Sequence, residues 1–142
     1  MGWLVPALNR SGEYAASRNA GLVIEPLNRY ESNFVNTIAD GLRLIDALDV
    51  RNVGLLADLF HMNIEEASIA GSIREAGSRI GHVHFADSNR RAPGMGHTDF
   101  TPIVAALRDI NYRGWASVEA FPLPDRGTAA AQAVTACRAL PF

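Results

Sequence analysis

Four short apolar runs recur along the chain at intervals of roughly 30 residues, each closing on a polar or acidic side chain. They read Gly21-Leu22-Val23-Ile24-Glu25, Val53-Gly54-Leu55-Leu56-Ala57-Asp58, His82-Val83-His84-Phe85-Ala86-Asp87 and Trp115-Ala116-Ser117-Val118-Glu119. Runs this short and this rich in Val, Ile and Leu have the character of strands buried on both faces. Segments of helical period separate them. One spans 34–48, with Ile38, Leu42, Ile45 and Leu48 on a single stripe. The next is expected to start near Asn63, because Asn63 and Glu66 have the spacing of a capping box; Ile69, Ile73 and Ala76 supply its apolar face. A third opens at Thr101-Pro102, read as an N-cap followed by proline at the first helical position, and continues through Ile103, Val104, Leu107 and Ile110. An Ala-rich helix is expected over 128–140, and another over about 6–19 precedes the first strand.

Alternation of strand and helix at this spacing predicts βαβ units and a parallel sheet. The fold class is therefore α/β, with four parallel strands alternating with helices in one domain over 1–142. That matches half of a (β/α)8 barrel, whose usual length is about 250 residues. An open doubly wound sheet is the structural alternative, but no Gly-rich fingerprint follows the first strand.

Composition narrows the function. A net charge of −2 gives no basic footprint, which argues against nucleic acid as a partner. No apolar run approaches the roughly 20 residues of a membrane span. The first residues, Met1 to Pro6, lack the basic region and apolar core of a signal peptide. The single cysteine, Cys137, excludes an internal disulfide framework and fits a cytoplasmic setting. Its place in an Ala-rich helical stretch reads as a small packed side chain. The sequence contains no lysine, so a Schiff-base mechanism and a P-loop are both excluded.

Active sites of parallel α/β folds gather at the C-terminal ends of the strands. Those ends carry Glu25, Asp58, His84 and Glu119, one metal-competent side chain per strand. Three carboxylates and an imidazole suit a hard or borderline divalent ion such as Mn²⁺, Mg²⁺ or Co²⁺. A structural zinc site would favour cysteines. Taken singly, a strand-end glutamate is ordinarily solvated, and a strand histidine is ordinarily hydrogen-bonded in the core. Four strand ends all supplying ligand types point to a site. His82 and His84 share one strand face, and only His84 is near enough to the strand end to reach it; His82 is expected to pack behind.

The motifs around these positions are specific. They run Ile24-Glu25-Pro26-Leu27-Asn28-Arg29-Tyr30-Glu31, then Asp58-Leu59-Phe60-His61-Met62-Asn63-Ile64-Glu65-Glu66. Gly81-His82-Val83-His84-Phe85, Asp87-Ser88-Asn89-Arg90-Arg91-Ala92-Pro93-Gly94 and Val118-Glu119-Ala120-Phe121 follow. From about Gly21 to its end the chain resembles the D-tagatose/D-psicose (ketose) 3-epimerase group of the xylose-isomerase-like TIM-barrel superfamily. The resemblance implies the last four strands of an eight-stranded barrel. It implies Glu25, Asp58, His84 and Glu119 as metal ligands, with Mn²⁺ first and Co²⁺ or Mg²⁺ as alternatives. Glu25 and Glu119 match the acid/base pair flanking the reacting carbon. Glu31, His61 and Arg90 match residues that hold the substrate's carbonyl and hydroxyl oxygens, while Arg91 reads as a solvated loop residue. The implied activity is C3 epimerisation of a free keto sugar through an enediolate. Related barrels with the same metal set act as hydroxypyruvate isomerases, inosose dehydratases or decarboxylases of branched keto-acids. Apurinic endonucleases share the barrel but use more His ligands and a basic DNA face.

A four-stranded half would leave two sheet edges and an inner face open. The expected partner is a second copy, giving a homodimer of half-barrels, or a separate N-terminal half-barrel. The second functional expectation follows: a metal-binding half that is incomplete without the other half.

Overall fold

A computed structural model describes residues 2–140; the ends of the expected 1–142 domain lie outside the described residues. The elements run α1 (Leu4–Ala16), β1 (Leu22–Ile24), α2 (Ile38–Asp46), β2 (Val53–Asp58), α3 (Leu59–Glu65), α4 (Ile69–Ala76), β3 (Ile80–Phe85), α5 (Thr101–Asp109), β4 (Trp115–Val118) and α6 (Arg126–Ala139). The sheet has four strands in the order β1-β2-β3-β4, and each neighbouring pair is parallel. The expected alternation of four parallel strands with helices is present, with two helices, α3 and α4, in place of the single one expected between β2 and β3.

Helix boundaries follow caps more than periodicity. Thr37, in extended backbone, accepts from the Asp40 N–H, and Asp40 closes the box back onto Thr37, so α2 starts at Ile38 and not at 34. The expected helix start at Asn63 is wrong. Asp58 caps α3 directly at the strand end, so Asn63 lies inside that helix. A separate helix, α4, is capped by Ser68, whose hydroxyl accepts from the Gly71 N–H at 3.1 Å. Glu66 serves tertiary packing instead: it accepts from the Ile38 N–H at 2.7 Å and the Ser72 hydroxyl at 2.6 Å, tying α2 to α4. Thr101 stands inside the first turn of α5, with Phe100 at the N-cap position. Asp125 caps α6, which therefore begins at Arg126.

Residues of α2, α4 and α5 pack against one face of the sheet. Ile38, Ile45, Ile73, Ile103, Val104 and Leu107 meet Leu55, Ala57, Val83 and Phe85. A register shift near Leu55/Leu56 pairs Ile80 with Leu55 but His82 with Leu56. The extra residue, Gly81, lets Ile80 and Val83 both enter the core and leaves His82 and His84 on the other face.

Burial on both faces holds for β2 alone. All four residues of β4 are exposed, with Trp115 at 84 %, and Val23 of β1 is 45 % exposed. β1 and β4 are the edges of the sheet, and no residue of either strand is among the buried core residues. Cys137 is half-buried, and burial pushes its thiol up, which fits packing and not a nucleophile. Among the described residues no helix is long and apolar enough to cross a membrane.

Candidate metal centre

Asp58 ends β2 and begins α3. Its Oδ1 accepts the Phe60 and His61 N–H groups at 2.9 and 3.0 Å. Oδ2 is left free to face His84 Nδ1 at 3.3 Å. The strand-to-helix junction thus fixes this carboxylate from behind. Glu25 and Glu119 directly follow β1 and β4, and the Glu119 N–H donates to the Phe85 carbonyl at 3.2 Å. His84 stands between them, its Nδ1 3.9 Å from Glu25 Oε1 and 3.3 Å from Glu119 Oε2. One ligand atom from each of the four residues lies within 4.8 Å of the other three.

Two of these atoms, Glu25 Oε1 and His84 Nδ1, are buried and without a hydrogen-bond partner. Orphaned buried polar atoms cost about 1–3 kcal/mol each. Burial raises the Glu25 carboxyl above its ordinary range, and the charges of Asp58 and Glu119 add to this against His84 and Arg90. Burial also raises Asp58, against the His61 amide and the two imidazoles. A divalent cation at the common point would partner both orphaned atoms and offset the clustered negative charge. The donor set, three carboxylates and one imidazole, fits such an ion.

Glu31, His61 and Arg90 line the same site. His61 is buried on α3, with Nε2 3.8 Å from Glu25 Oε1. Arg90 Nη1 donates to Glu31 Oε1 at 2.7 Å, and Nη2 is 3.9 Å from Glu119 Oε2. Its guanidinium lies 4.9 Å from the centre of the Phe60 ring and 5.8 Å from that of Phe121, which holds it in place. The slight burial of Glu31 opposes ionisation. The Asn28 amide, Arg90 and His61 outweigh it and keep that carboxyl below its ordinary range. His82 lies behind His84, ring centres 5.1 Å apart, and bonds to the Ser117 hydroxyl at 2.8 Å. Arg91 is exposed, as its loop position suggested.

Sequence reading missed two buried polar residues that shape this wall. One is Asn28, buried against His61. The other is Asp87, which had read only as the end of a strand run. Its Oδ1 accepts from the Ser88 and Thr98 N–H groups at 2.7 and 3.0 Å, and Oδ2 from the Gly94 N–H at 2.8 Å. A Cβ at Gly96 would collide with this carboxylate, so that position requires glycine. The loop gathered around Asp87 holds Arg90 in left-handed backbone at φ 59°, where its carbonyl accepts from the Phe121 N–H at 2.7 Å. Burial would raise Asp87, but the amides of Thr98, Ser88, Gly96 and Gly94 hold it below the aspartate range. Its contribution is therefore present above that range and lost as pH falls through the lowered value. Asp87→Ala leaves the Ser88, Gly94 and Thr98 N–H groups without their part-buried acceptor and is expected to cost about 3 kcal/mol in urea unfolding. An unchanged unfolding midpoint would show that the loop does not depend on this carboxylate.

Parallel strands whose C-terminal ends converge on a ligand cluster are the arrangement of a barrel enzyme's catalytic face. The chain belongs to the xylose isomerase-like TIM barrel family, whose sequence model matches residues 2–140 and so includes α1. It is 42 % identical over 117 residues to an L-ribulose 3-epimerase from a Methylomonas species, covering 82 % of this chain and 41 % of that protein. It is 43 % identical over 117 residues to the D-psicose 3-epimerase of Agrobacterium fabrum, covering 82 % and 40 %. It is 41 % identical over 108 residues to the 3-dehydro-D-guloside 4-epimerase of Escherichia coli, covering 75 % and 41 %. A crystal structure of D-psicose 3-epimerase in the presence of D-fructose superposes with a TM-score of 0.88 at 35 % identity, covering 94 % of this chain and 53 % of that one. The chain thus spans about two fifths of the length of these curated relatives and about half of that solved chain.

Proposed function

We propose that this chain carries the metal site and the acid/base pair of a ketose 3-epimerase acting on a free keto sugar. The observation that supports this most strongly is the convergence of Glu25, Asp58, His84 and Glu119 within 4.8 Å, with two of their atoms buried and unpartnered. These four residues would hold a divalent ion, Mn²⁺ before Co²⁺ or Mg²⁺. When bound, the ion supplies positive charge that stabilises negative charge developing on the sugar oxygens.

The chain's own residues do the rest. Glu25 and Glu119 follow opposite edge strands and approach His84 from two sides. One carboxylate removes the C3 proton, leaving an enediolate, and the other returns a proton to the opposite face. Arg90, Glu31 and His61 bind and orient the sugar's oxygens beside them. Arg90 is suited to this because its planar donors are already fixed by Glu31 and the two aromatic rings.

The reading predicts metal-dependent wash-in of solvent deuterium at ketose C3, followed by mass spectrometry or NMR with Mn²⁺ present. No wash-in at saturating metal and ketose would defeat the claim that this chain is active alone. A second reading, inversion at C4, is favoured by the similarity to the Escherichia coli 4-epimerase. Deuterium appearing at C4 of a 3-keto sugar, with none at C3 of a ketohexose, would select it.

The open strands β1 and β4 support a further part of the proposal: the substrate pocket closes on association with a second copy or with an N-terminal half-barrel. Light scattering on the same sample separates these. A mass of two chains with wash-in supports the homodimer. Metal binding without turnover, restored by an added N-terminal half, supports the incomplete half-barrel.

A further inference from the structure

We infer that Asn28 is a positioning residue that fixes His61 in the tautomer with its proton on Nε2, giving the site an N–H donor beside Glu25. Asn28 follows β1 and is 1 % exposed, as is His61. Its amide can point only one way. Oδ1 accepts from the Tyr30 N–H at 2.9 Å, so Nδ2 faces the opposite side. There it lies 3.0 Å from Glu31 Oε1 and 2.7 Å from His61 Nδ1. Both amide hydrogens are thereby used, one on each partner.

The Asn28 backbone N–H also points at His61 Nδ1, at 3.3 Å. A backbone N–H is a donor in every state. Two donors converging on one ring nitrogen require its lone pair, so Nδ1 carries no proton and Nε2 carries it. Nε2 is the nitrogen that faces the metal cluster, 3.8 Å from Glu25 Oε1. His61 therefore presents a donor, which suits an oxygen that can only accept: the ketose carbonyl or the negatively charged oxygen formed from it. The same amide holds Glu31, the partner of Arg90, so one buried side chain orders both groups.

The tautomer rests on geometry alone; the identity of the oxygen it binds rests on the ketose reading above. The test is long-range ¹H–¹⁵N NMR of the full chain labelled in its histidine rings and saturated with Mg²⁺, with a His61→Gln sample assigning the signals. The expected wild-type result is an unprotonated Nδ1 and a protonated Nε2. Asn28→Asp replaces the side-chain donor with an acceptor of the same shape and is expected to draw a proton onto Nδ1. It is also expected to raise the KM for ketose about tenfold while Mg²⁺ affinity stays unchanged. A proton on Nδ1 in the wild type overturns the inference; a bare Nδ1 that persists in a folded Asn28→Asp overturns the positioning role of the side chain, because the backbone N–H alone then holds the tautomer. Loss of Mg²⁺ affinity in step with KM also overturns it, because Asn28 would then only be holding the fold together. Should Asn28→Asp fail to fold, the wild-type spectrum still decides the tautomer. A bare Nδ1 in a chain that exchanges no ketose proton upholds the tautomer and defeats the substrate reading instead.

Discussion

Glu119→Gln is expected to lower metal-dependent exchange at ketose C3 by about 10²–10⁴-fold, the usual contribution of a positioned acid or base. Glutamine keeps the size of the side chain and one oxygen that can face a cation, but it cannot hold or release the proton. Of the four converging residues, Glu119 is the most open: its side chain is 50 % exposed, against 29 % for Glu25, 19 % for His84 and 2 % for Asp58. Substitution there disturbs the packed interior least. Glu25→Gln acts on the other carboxylate, whose Oε1 is buried and unpartnered, so it is expected to lose more metal affinity for a similar loss of rate. Running both variants at saturating Mn²⁺ separates the two effects, because a defect confined to ligation recovers as metal is added. A Glu119→Gln chain that exchanges at the wild-type rate would remove Glu119 from proton transfer.

The parts of this site that were legible in the sequence are those set by one residue type at one place in a local period. Glu25, Asp58 and Glu119 each close an apolar run and His84 lies one residue before the end of its strand, and the parallel sheet brings such ends to one rim. The rest depended on interactions between distant segments. Asp58 ends a strand and caps a helix with the same carboxylate, so the capping-box spacing at Asn63 points five residues past the true N-cap. Asn28 and Asp87 lie in polar, turn-rich stretches that look solvated as sequence. They are buried because His61, 33 residues on, and the amides of a whole loop satisfy their polar atoms. Trp115-Ala116-Ser117-Val118 has core-like composition, yet it is exposed throughout, because burial of a strand depends on its neighbours and not on its own residues.

Adding Mn²⁺ at a hundred times its dissociation constant is expected to stabilise the chain by about 2.7 kcal/mol, which for a chain of this length raises Tm by about 10 °C. The origin of the gain lies in the metal-free site. Burial, reinforced at both positions by neighbouring carboxylates, lifts Glu25 and Asp58 above their ordinary ranges. A carboxyl whose folded value is raised costs stability above that raised value, and the cost is relieved as pH falls through it. In EDTA these two groups should therefore favour folding more as the solution is acidified from neutrality towards the ordinary carboxylate range. With Mn²⁺ the sign reverses, because protons compete with the ion for the same oxygens. The difference in Tm between Mn²⁺ and EDTA is thus expected to be largest near neutral pH and to shrink on acidification. Glu25→Gln removes one of the two raised carboxyls and should flatten that dependence as well as reduce the gain. Differential scanning fluorimetry across pH, with each ion and with chelator, measures all three quantities. A gain in Tm that ignores pH would place the bound metal away from Glu25 and Asp58.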